Sequence, residues 1–411
     1  MSRRLPMMKV AAHGKHLVAT EPLVFHCNYY NYFLQKTLLL DETLGMAAVI
    51  QQAASSCVGA LLSRAQDELN LTTVEDRRLL ASELFAELGF GLLRLDESGP
   101  TGGTVSLPVS HYGRCLRQAA AADFAKPQSL FDAGYAQAAL AAIHSLPPDA
   151  FAAEIEACQS QGAQTGILKL YREGQPVFRS PGQGAHTKSV DMPEPWTATS
   201  IDEARILAAL ATLDFSGNEE GLIPRFGVML THHFANFYNR ISFEFVMRMK
   251  KSGMLEAAED LLVEAGLRCA FHTLGGIMTS AEWDAVVRPQ CQTNHDWLHG
   301  IIACVNALGW GVYRVHEFVP GERLVLRIYD DYESSGWIGM YGTSSRPISY
   351  LAQGAAAGMM NLVYLGELPT KPALDFEKYA LLFEAPDRFI SRQTRSLSMG
   401  DSFTEIVAER Q

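Results

Sequence analysis

The sequence lacks the features that mark several large classes of protein. Its 34 basic and 45 acidic residues give a formal net charge of −11, and the basic residues form no dense cluster apart from residues 247–251. A phosphate backbone would be repelled on average, so no nucleic-acid partner is expected. The longest apolar candidate, 348–365, is interrupted by polar residues and glycines, unlike the roughly 18 to 20 apolar residues of a membrane span. The first residues also lack the apolar core of a signal peptide, so we expect a cytoplasmic protein without a membrane span.

Paired cysteines and common catalytic motifs are missing as well. The 7 cysteines are scattered without a CxxC pair, so neither a zinc knuckle nor a disulfide framework is evident, and reduced thiols are expected. No GxGxxG, GxxxxGK[ST], GxSxG or HExxH pattern occurs. Nucleotide binding, serine hydrolysis and common metalloprotease chemistry therefore lose their usual support.

The chain does have the length and composition of a folded two-domain protein. Its 411 residues exceed the roughly 250 at which a single hydrophobic core stops growing. Hydrophobic residues make up 48% and charged residues 19%, a mixture that buries enough apolar surface to offset chain entropy. Two cores are the expectation.

An internal repeat supports this expectation. The segment 87–97 reads much as the segment 307–317 does, at the offset of 220 residues that separates Gly89 from Gly309. Four identities carry the alignment: Gly89, Gly91, Arg94 and Glu97 meet Gly309, Gly311, Arg314 and Glu317. The offset is smaller upstream and larger downstream, as insertions in the second copy would produce. The repeat predicts two diverged copies of one domain.

The apolar spacing predicts the same elements in both copies. An amphipathic helix (45–65; 255–278) precedes a second helix that ends at a Gly-aromatic-Gly turn (75–88; about 282–308). Two extended runs follow, forming a hairpin at 311–329 in the second copy, and then a small-residue helix (129–144; 348–365) and a final strand (165–172; 401–409). The predicted fold is α+β, an antiparallel sheet flanked by helices in each copy.

The region between the copies is rich in proline, glycine and charge, and reads as a linker. Ser200 with Glu203 predicts a capping box for a connector helix that ends at Ala211. The predicted domains are 1–173, a linker and connector helix at 174–225, and 226–411.

The order of elements, the Leu-Gly-Trp-Gly turn and the Met-Gly-Asp-Ser-Phe segment at 399–403 resemble the V4R domain. This family is named after 4-vinyl reductase and is also described as hydrocarbon-binding. Its fold is similar to that of small subunits of the TRAPP vesicle-tethering complex. The resemblance covers 255–409 best and 25–173 more weakly. It implies a pocket for a small hydrophobic or aromatic molecule, and a homodimer as among the relatives of the fold.

The resemblance also bears on zinc. In phenol-responsive members of the family, two cysteines and a nearby glutamate hold zinc beside the ligand pocket. The first cysteine position falls on Cys158 in copy one and on Ser396 in copy two, and the second falls near Gly166 and Thr404. Only one of these four is a cysteine, so zinc of the family type is not expected.

A different metal site is predicted from spacing in the second copy. Cys291, His295 and His299 recur every four residues, which places them on one face of the predicted helix. Thiol and imidazole ligands suit zinc, iron, copper or a haem iron, and His233 of the His232-His233 pair is a candidate distant ligand. The alternative is a helix surface with two histidines, and a strand anchored by His233. Whether a transition metal, zinc or iron, takes part stays open.

Aromatic residues are the candidates for a ligand pocket. Those near the start of each copy and around the 330–337 loop are Tyr29, Tyr30, Phe234, Phe237, Tyr238, Trp310, Tyr332 and Trp337. Their apolar rings with a few hydroxyl groups fit an aromatic ligand, and core packing is the alternative. The carboxylates Asp330, Asp331 and Glu333 in the same loop are candidates for cation binding or acid–base work, with a solvated loop as the alternative.

These observations predict a tandem V4R-like protein that binds or senses a small hydrophobic or aromatic molecule. The ligand is expected mainly in the second copy, because the first has diverged at the candidate positions and reads as a structural partner. One rival is a metal-dependent enzyme acting on such a compound, with Cys291, His295 and His299 or the loop carboxylates as its reacting groups. The other rival is a scaffold without a ligand, like the tethering subunits.

Overall fold

A computed structural model describes residues 8–10, 15–172 and 199–411 of the chain. Most of the predicted linker therefore lies outside the described residues. The fold is α+β, as the sequence predicts, and the described residues form three antiparallel sheets.

The first half of the chain contributes eight described strands and five described α-helices. They are β1 (Met8–Val10), β2 (Lys15–Val18), β3 (Glu21–Cys27), α1 (Asn28–Leu38), α2 (Met46–Glu68), α3 (Val74–Glu87), β4 (Gly91–Arg94), β5 (Ser98–Gly99), β6 (Gly102–Ser110), α4 (Leu116–Ala120), α5 (Leu130–Ile143), β7 (Ala152–Ala157) and β8 (Gly166–Tyr171).

The second half begins with the connector helix and continues in a similar order. Its elements are α6 (Glu203–Ala211), β9 (Ile223–Arg225), β10 (Val228–Phe234), α7 (Ala235–Lys251), α8 (Leu255–Cys269), α9 (Gly275–Thr279), α10 (Ala281–Val286), α11 (Asn294–Ala307), β11 (Val312–Val319), β12 (Arg323–Tyr329), α12 (Tyr332–Tyr341), α13 (Tyr350–Leu365), α14 (Phe376–Phe383), β13 (Phe389–Arg395) and β14 (Thr404–Arg410). A π-helical segment, Ala270–Leu274, joins α8 to α9.

Each half forms one outer sheet, and the two outer sheets have the same strand order. The first is β4-β6-β8-β7, with β5 beside β6, and the second is β11-β12-β14-β13. Glycines allow the core helices beneath these sheets to pack closely. A Cβ atom on Gly134 would lie 2.2 Å from the carbonyl oxygen of Gln51, and one on Gly354 would lie 2.2 Å from that of Val263. Both positions exclude a side chain, so the backbones of paired helices approach directly.

The third sheet is shared between the halves, in the order β1-β2-β3-β10-β9. Strand β3 pairs with β10 so that Phe25 faces His232, and the flanking pairs Cys27 with Leu230 and Leu23 with Phe234 lie at equal distances on either side. This register describes a local two-fold relationship centred on Phe25 and His232. Neither half therefore contains a complete central sheet of its own.

The Gly-aromatic-Gly turns attach each outer sheet to the opposite central strand. The amide of Phe25 donates to Leu308 (3.0 Å), and the amide of His232 donates to Leu88 (2.9 Å). The indole Nε1 of Trp310 also donates to the carbonyl of Phe25 at 2.9 Å. The repeated motif thus joins the two halves, because each turn satisfies backbone groups that belong to the other half.

One helix that the sequence predicts as continuous is divided in the structure. Instead of running from about 282 to 308, the chain forms α10, a short 3-10 turn at Arg288–Gln290 and then α11. Pro289 lacks an amide hydrogen and interrupts the helical hydrogen bonds. Thr293 then starts α11 through a capping box with Asp296. Cys291 consequently precedes α11 and does not share a helix face with the two histidines.

The connector helix ends at Ala211 as predicted, but its N-cap is different. Asp202 accepts from the amide of Arg205, whereas the hydroxyl of Ser200 donates to the carbonyl of Gln290. The predicted capping box at Ser200 is therefore wrong, because a more favourable acceptor stands one residue before the helix.

Two helices of the described chain have the length and composition of a membrane span. They are Met46–Glu68, with 50% of its apolar window buried in the protein, and Leu255–Thr279, with 72% buried. Buried core helices pass the same test, so the expectation of no membrane span stays a prediction.

Candidate functional site

An apolar cavity of about 200 Å³ lies where the two halves and the connector helix meet. Strands β2 and β3 form one wall, the end of α11 and the start of β11 form another, and α6 forms the roof. Its described lining consists of Lys15, His16, Phe25, Glu203, Leu207, Leu210, Ala211, Phe215, Phe226, Ile277, Cys304, Asn306, Ala307, Leu308, Val312 and Arg314. All three predicted segments of the chain contribute to it.

The roof helix α6 is weakly embedded in the protein. Ile206 is its only buried residue, and its other residues are half-buried or exposed. Its start is attached by polar bonds, since the hydroxyl of Thr199 donates to Asp296 (2.9 Å) and the amide of Asp202 donates to the side chain of Gln290 (2.8 Å). Helix α6 is therefore fixed at one end and covers the cavity with few buried contacts.

The charged groups of the lining form ion pairs. Glu203 Oε1 accepts from Asn306 Nδ2 at 2.8 Å and from Arg314 Nη1 at 3.1 Å. Lys15 Nζ lies 2.7 Å from a carboxylate oxygen of Asp330. Because each cation has a carboxylate partner, the cavity presents little uncompensated charge, and its walls favour an apolar occupant.

A thiol and an imidazole complete the polar part of the lining. Burial raises the pKa of Cys304 to about 12, so this thiol is protonated at neutral pH and behaves as a small apolar group. His16 Nδ1 lies 3.0 Å from Nε2 of His232, and the two buried rings meet edge to face. One of these nitrogens must carry the hydrogen, so the tautomers of the two histidines depend on each other.

The structure brings most of the predicted ligand-binding aromatics together, but in the core between the halves and outside the cavity. Tyr30, Phe234, Phe237, Tyr238, Trp310 and Tyr332 are all buried there. Two buried histidines organise them, His26 with Nε2 3.3 Å from the hydroxyl of Tyr332, and His233 with Nε2 2.9 Å from the hydroxyl of Tyr112. Burial holds the pKa of both imidazoles well below the ordinary value, so both are neutral.

The other two predicted ligand residues lie elsewhere. Tyr29 is half-buried and stacks on His272, with ring centroids 3.8 Å apart. Trp337 is half-buried and packs against Phe243 and Tyr341 at 4.9 Å from each. Their role in ligand binding stays a prediction, since neither lines the cavity.

The four predicted metal ligands do not converge. The thiol of Cys291 donates to the carbonyl of Val287 at 3.4 Å, while His295 and His299 stack on each other with centroids 4.6 Å apart. His233 lies in the core between the halves. No group of three or more His, Cys, Asp or Glu side chains suited to a metal occurs in the described part of the chain. A metal therefore stays a prediction, with at most two of its four proposed ligands side by side.

The predicted 330–337 loop is instead the start of helix α12, and its carboxylates have structural partners. Asp331 accepts from the amide of Ser334 and from the hydroxyls of Ser349 and Thr404. Glu333 accepts from the amides of Leu351 and Ala352 at the start of α13. These bonds make both side chains part of the helix ends and sheet edge of the second half.

The positions that hold zinc in the resembled family carry a hydroxyl network in this chain. Cys158 contacts the hydroxyls of Ser129 and Ser160 at 3.2 and 3.0 Å. In the second half, Ser396 takes the equivalent place and contacts Ser398 at 2.8 Å. In both halves the side chains at this position make polar contacts with each other inside the protein.

Sequence reasoning missed most of the cavity lining. Phe25, Phe215, Asn306 and Arg314 are not among the site residues that the sequence predicts. Arg314 did stand out as part of the repeated segment, and the connector helix was predicted, so two parts of the cavity had a signal in the sequence. No local pattern placed them next to each other.

Comparisons with known proteins give little further information. No protein-family description and no curated protein matches the chain. Among solved structures, the phenol-responsive sensory domain of the transcription activator PoxR with phenol is similar over 52% of this chain and 92% of that one. The identity is 14% and the TM-score is 0.34. A likeness at this level does not determine the fold or the ligand of the present chain.

Proposed function

We propose that the protein binds a small hydrophobic molecule, of the size of one substituted aromatic ring, in the cavity beneath α6. The observation that carries this proposal is an apolar cavity whose charged lining residues are already paired. The volume of about 200 Å³ is adequate, because an apolar cavity of about 150 Å³ binds benzene in another protein. Binding would restore the packing contacts that an unfilled cavity lacks.

Several features favour binding over catalysis at this site. The thiol of Cys304 is protonated at neutral pH, and a thiol is a poor nucleophile in that state. Lys15 and Arg314 are engaged by Asp330 and Glu203. A sensor or carrier of a hydrophobic molecule needs an apolar cavity and a cover, and α6 covers this cavity.

We also infer that the two halves are diverged copies of one V4R-like domain. The equal strand order of the outer sheets supports this inference. The symmetric register around Phe25 and His232 supports it independently, and so do the reciprocal bonds of the two turns to Phe25 and His232. In this arrangement the chain is an internal dimer, and the ligand cavity belongs to both halves and the connector.

A substitution on α6 tests the cavity with a matched control. Ala211 and Ala208 are both exposed on this helix, but only Ala211 lines the cavity. Ala211→Trp would place an indole over the cavity, whereas Ala208→Trp adds the same ring to the outer face. Binding of 4-fluorotoluene is measured by ¹⁹F NMR line broadening.

We expect the wild-type protein and Ala208→Trp to bind the probe, and Ala211→Trp to lose at least about tenfold in affinity, about 1.4 kcal/mol. Equal affinities of the two variants would place the probe elsewhere and contradict the proposed site. If the wild-type protein does not bind the probe, the binding function is refuted and a scaffold becomes the better interpretation.

A further inference from the structure

The polar corner of the cavity is built to hold a carboxylate. Asn306 is buried and its amide orientation is fixed, because Oδ1 accepts from the backbone amide of Tyr313 at 2.8 Å. Its Nδ2 therefore points towards Glu203, where it donates at 2.8 Å. Arg314 Nη1 donates to the same oxygen of Glu203 at 3.1 Å. Two donors, one from α11 and one from β11, thus converge on one carboxylate oxygen.

The guanidinium of Arg314 has further capacity at this corner. Its Nε atom is buried and has no hydrogen-bond partner among the described residues. An unsatisfied buried donor is unfavourable. A carboxylate that replaces Glu203 would accept from Nη1, which lies on the other edge of the guanidinium from Nε and also donates to the carbonyl of Tyr313 at 2.9 Å.

The carboxylate that fills this corner belongs to the roof helix α6. Glu203 is the first residue of α6, its side chain is 23% exposed, and the helix buries only Ile206. The donors Asn306 and Arg314 stand on α11 and β11, next to the apolar cavity. An external carboxylate with an attached apolar group could therefore compete with Glu203 for these donors.

We propose that the ligand of this site is a small apolar carboxylic acid, and that Glu203 is an internal substitute for its carboxylate. The ligand carboxylate takes the bonds of Asn306 and Arg314, its apolar group fills the cavity, and α6 is displaced. This inference rests on the proposed function, because it assigns the ligand class to the same cavity. Ligand binding and release of the connector helix become one event, which would report occupancy to the rest of the protein.

The experiment compares two probes of similar shape, 4-fluorobenzoate and 4-fluorotoluene, on the full chain. Glu203→Ala removes the internal competitor and should raise the affinity for 4-fluorobenzoate by about tenfold or more. The affinity for 4-fluorotoluene should change much less, because this probe has no group for Asn306 and Arg314. Glu256→Ala, at an exposed residue of α8, removes the same charge elsewhere and should change neither affinity.

A second variant and a second readout separate the carboxylate from general loosening of the site. Glu203→Ala combined with Arg314→Gln should lose the gain for 4-fluorobenzoate and keep binding of 4-fluorotoluene. In the wild-type protein, 4-fluorobenzoate should speed amide hydrogen exchange in α6, and 4-fluorotoluene should not.

An equal gain for both probes in Glu203→Ala, or no gain for either, would overturn the carboxylic-acid ligand while leaving the cavity function intact. Failure of 4-fluorotoluene to bind any of these proteins would instead overturn the cavity function, and this inference with it.

Discussion

Phe25 and His232, from different halves of the chain, stack face to face with ring centroids 4.0 Å apart and planes 10° apart. They are also directly opposite each other in the β3–β10 pairing. Around this pair the two halves meet with equivalent contacts, and Phe25 in addition lines the cavity. The centre of the contact between the halves and the wall of the candidate site therefore share a side chain.

Truncating this ring should destabilise the whole protein. Phe25→Ala removes a buried ring that packs on His232 and Phe215, and the free energy of unfolding should fall by about 3 to 5 kcal/mol. Urea denaturation followed by circular dichroism measures this change. Phe376→Ala, at a ring that is 47% exposed, is the control and should lose much less. A similar loss in both variants would show that Phe25 does not anchor the contact between the halves.

The glycine at the end of the first Gly-aromatic-Gly turn should not tolerate a side chain. Gly91 has φ +115°, and a Cβ atom there would lie 2.2 Å from the carbonyl oxygen of Val109. Gly253 also has a positive φ, but no atom lies within 4 Å of its Cβ position. Gly253→Ala should lose about 1 kcal/mol from backbone strain alone, and Gly91→Ala on the order of 3 kcal/mol from strain plus the clash. Thermal unfolding of the two variants makes the comparison, and equal losses would contradict the close approach of the turn to strand β6.

Acid should destabilise the protein through its buried histidines. Burial lowers the pKa of His111 to about 3 and that of His272 to about 3, whereas the unfolded chain titrates near 6.5. The unfolded state then binds more protons, so the stability contributed by each neutral imidazole is present above pH 6.5 and is lost as the pH falls towards 3.

One substitution isolates this contribution from that of Glu21 and Asp132. Burial raises the pKa of both carboxyl groups to about 7, so their contribution has the opposite sign and is lost as the pH rises from about 4 to 7. His111→Gln keeps the contributions of Glu21 and Asp132 and removes that of His111. The free energy of unfolding should therefore fall less steeply below pH 6.5, by about 1.4 kcal/mol per pH unit. Urea titrations from pH 4 to pH 7 provide the two profiles. Parallel profiles would mean that His111 is not held neutral.

The halves should not fold separately. Each central strand pairs with a strand of the other half, and Leu88 and Leu308 each accept a bond from the opposite half. Chains divided between residues 173 and 198 should show no cooperative thermal transition alone, and should regain one when they are co-expressed. Calorimetry and ¹H–¹⁵N spectra measure both states. Two independently folded halves would contradict the shared central sheet.

Local sequence patterns predicted the elements whose determinants are local. The apolar spacing located α2, α5 and α13, and proline and glycine located the hairpin of β11 and β12, because helix and turn geometry follow from neighbouring residues. The patterns failed where a local breaker and a cap compete with helix periodicity, at Pro289 and Thr293. That failure removed the basis for placing Cys291 beside His295 and His299.

The aromatic residues show the limit of pattern reading at the candidate site. The sequence predicts Tyr30, Trp310 and Tyr332 as pocket residues. In the structure they lie around His26 in the core, and their role in ligand binding stays a prediction. A buried ring is stabilised by excluding water, whether the neighbouring surface is protein or ligand. The sequence therefore indicates that such rings are buried without indicating what they are buried against.

By itself the sequence determined the α+β class, most of the helices and the repeated turns, because periodicity, glycine and proline act over a few residues. Only the tertiary structure decided that the halves share a sheet and that a cavity forms between Phe25, Glu203 and Arg314. These residues are far apart in the chain, and their meeting depends on how apolar faces and backbone hydrogen bonds are satisfied across the whole fold. Long-range packing of this kind has no local signature, so the candidate site became visible only when the chain was folded.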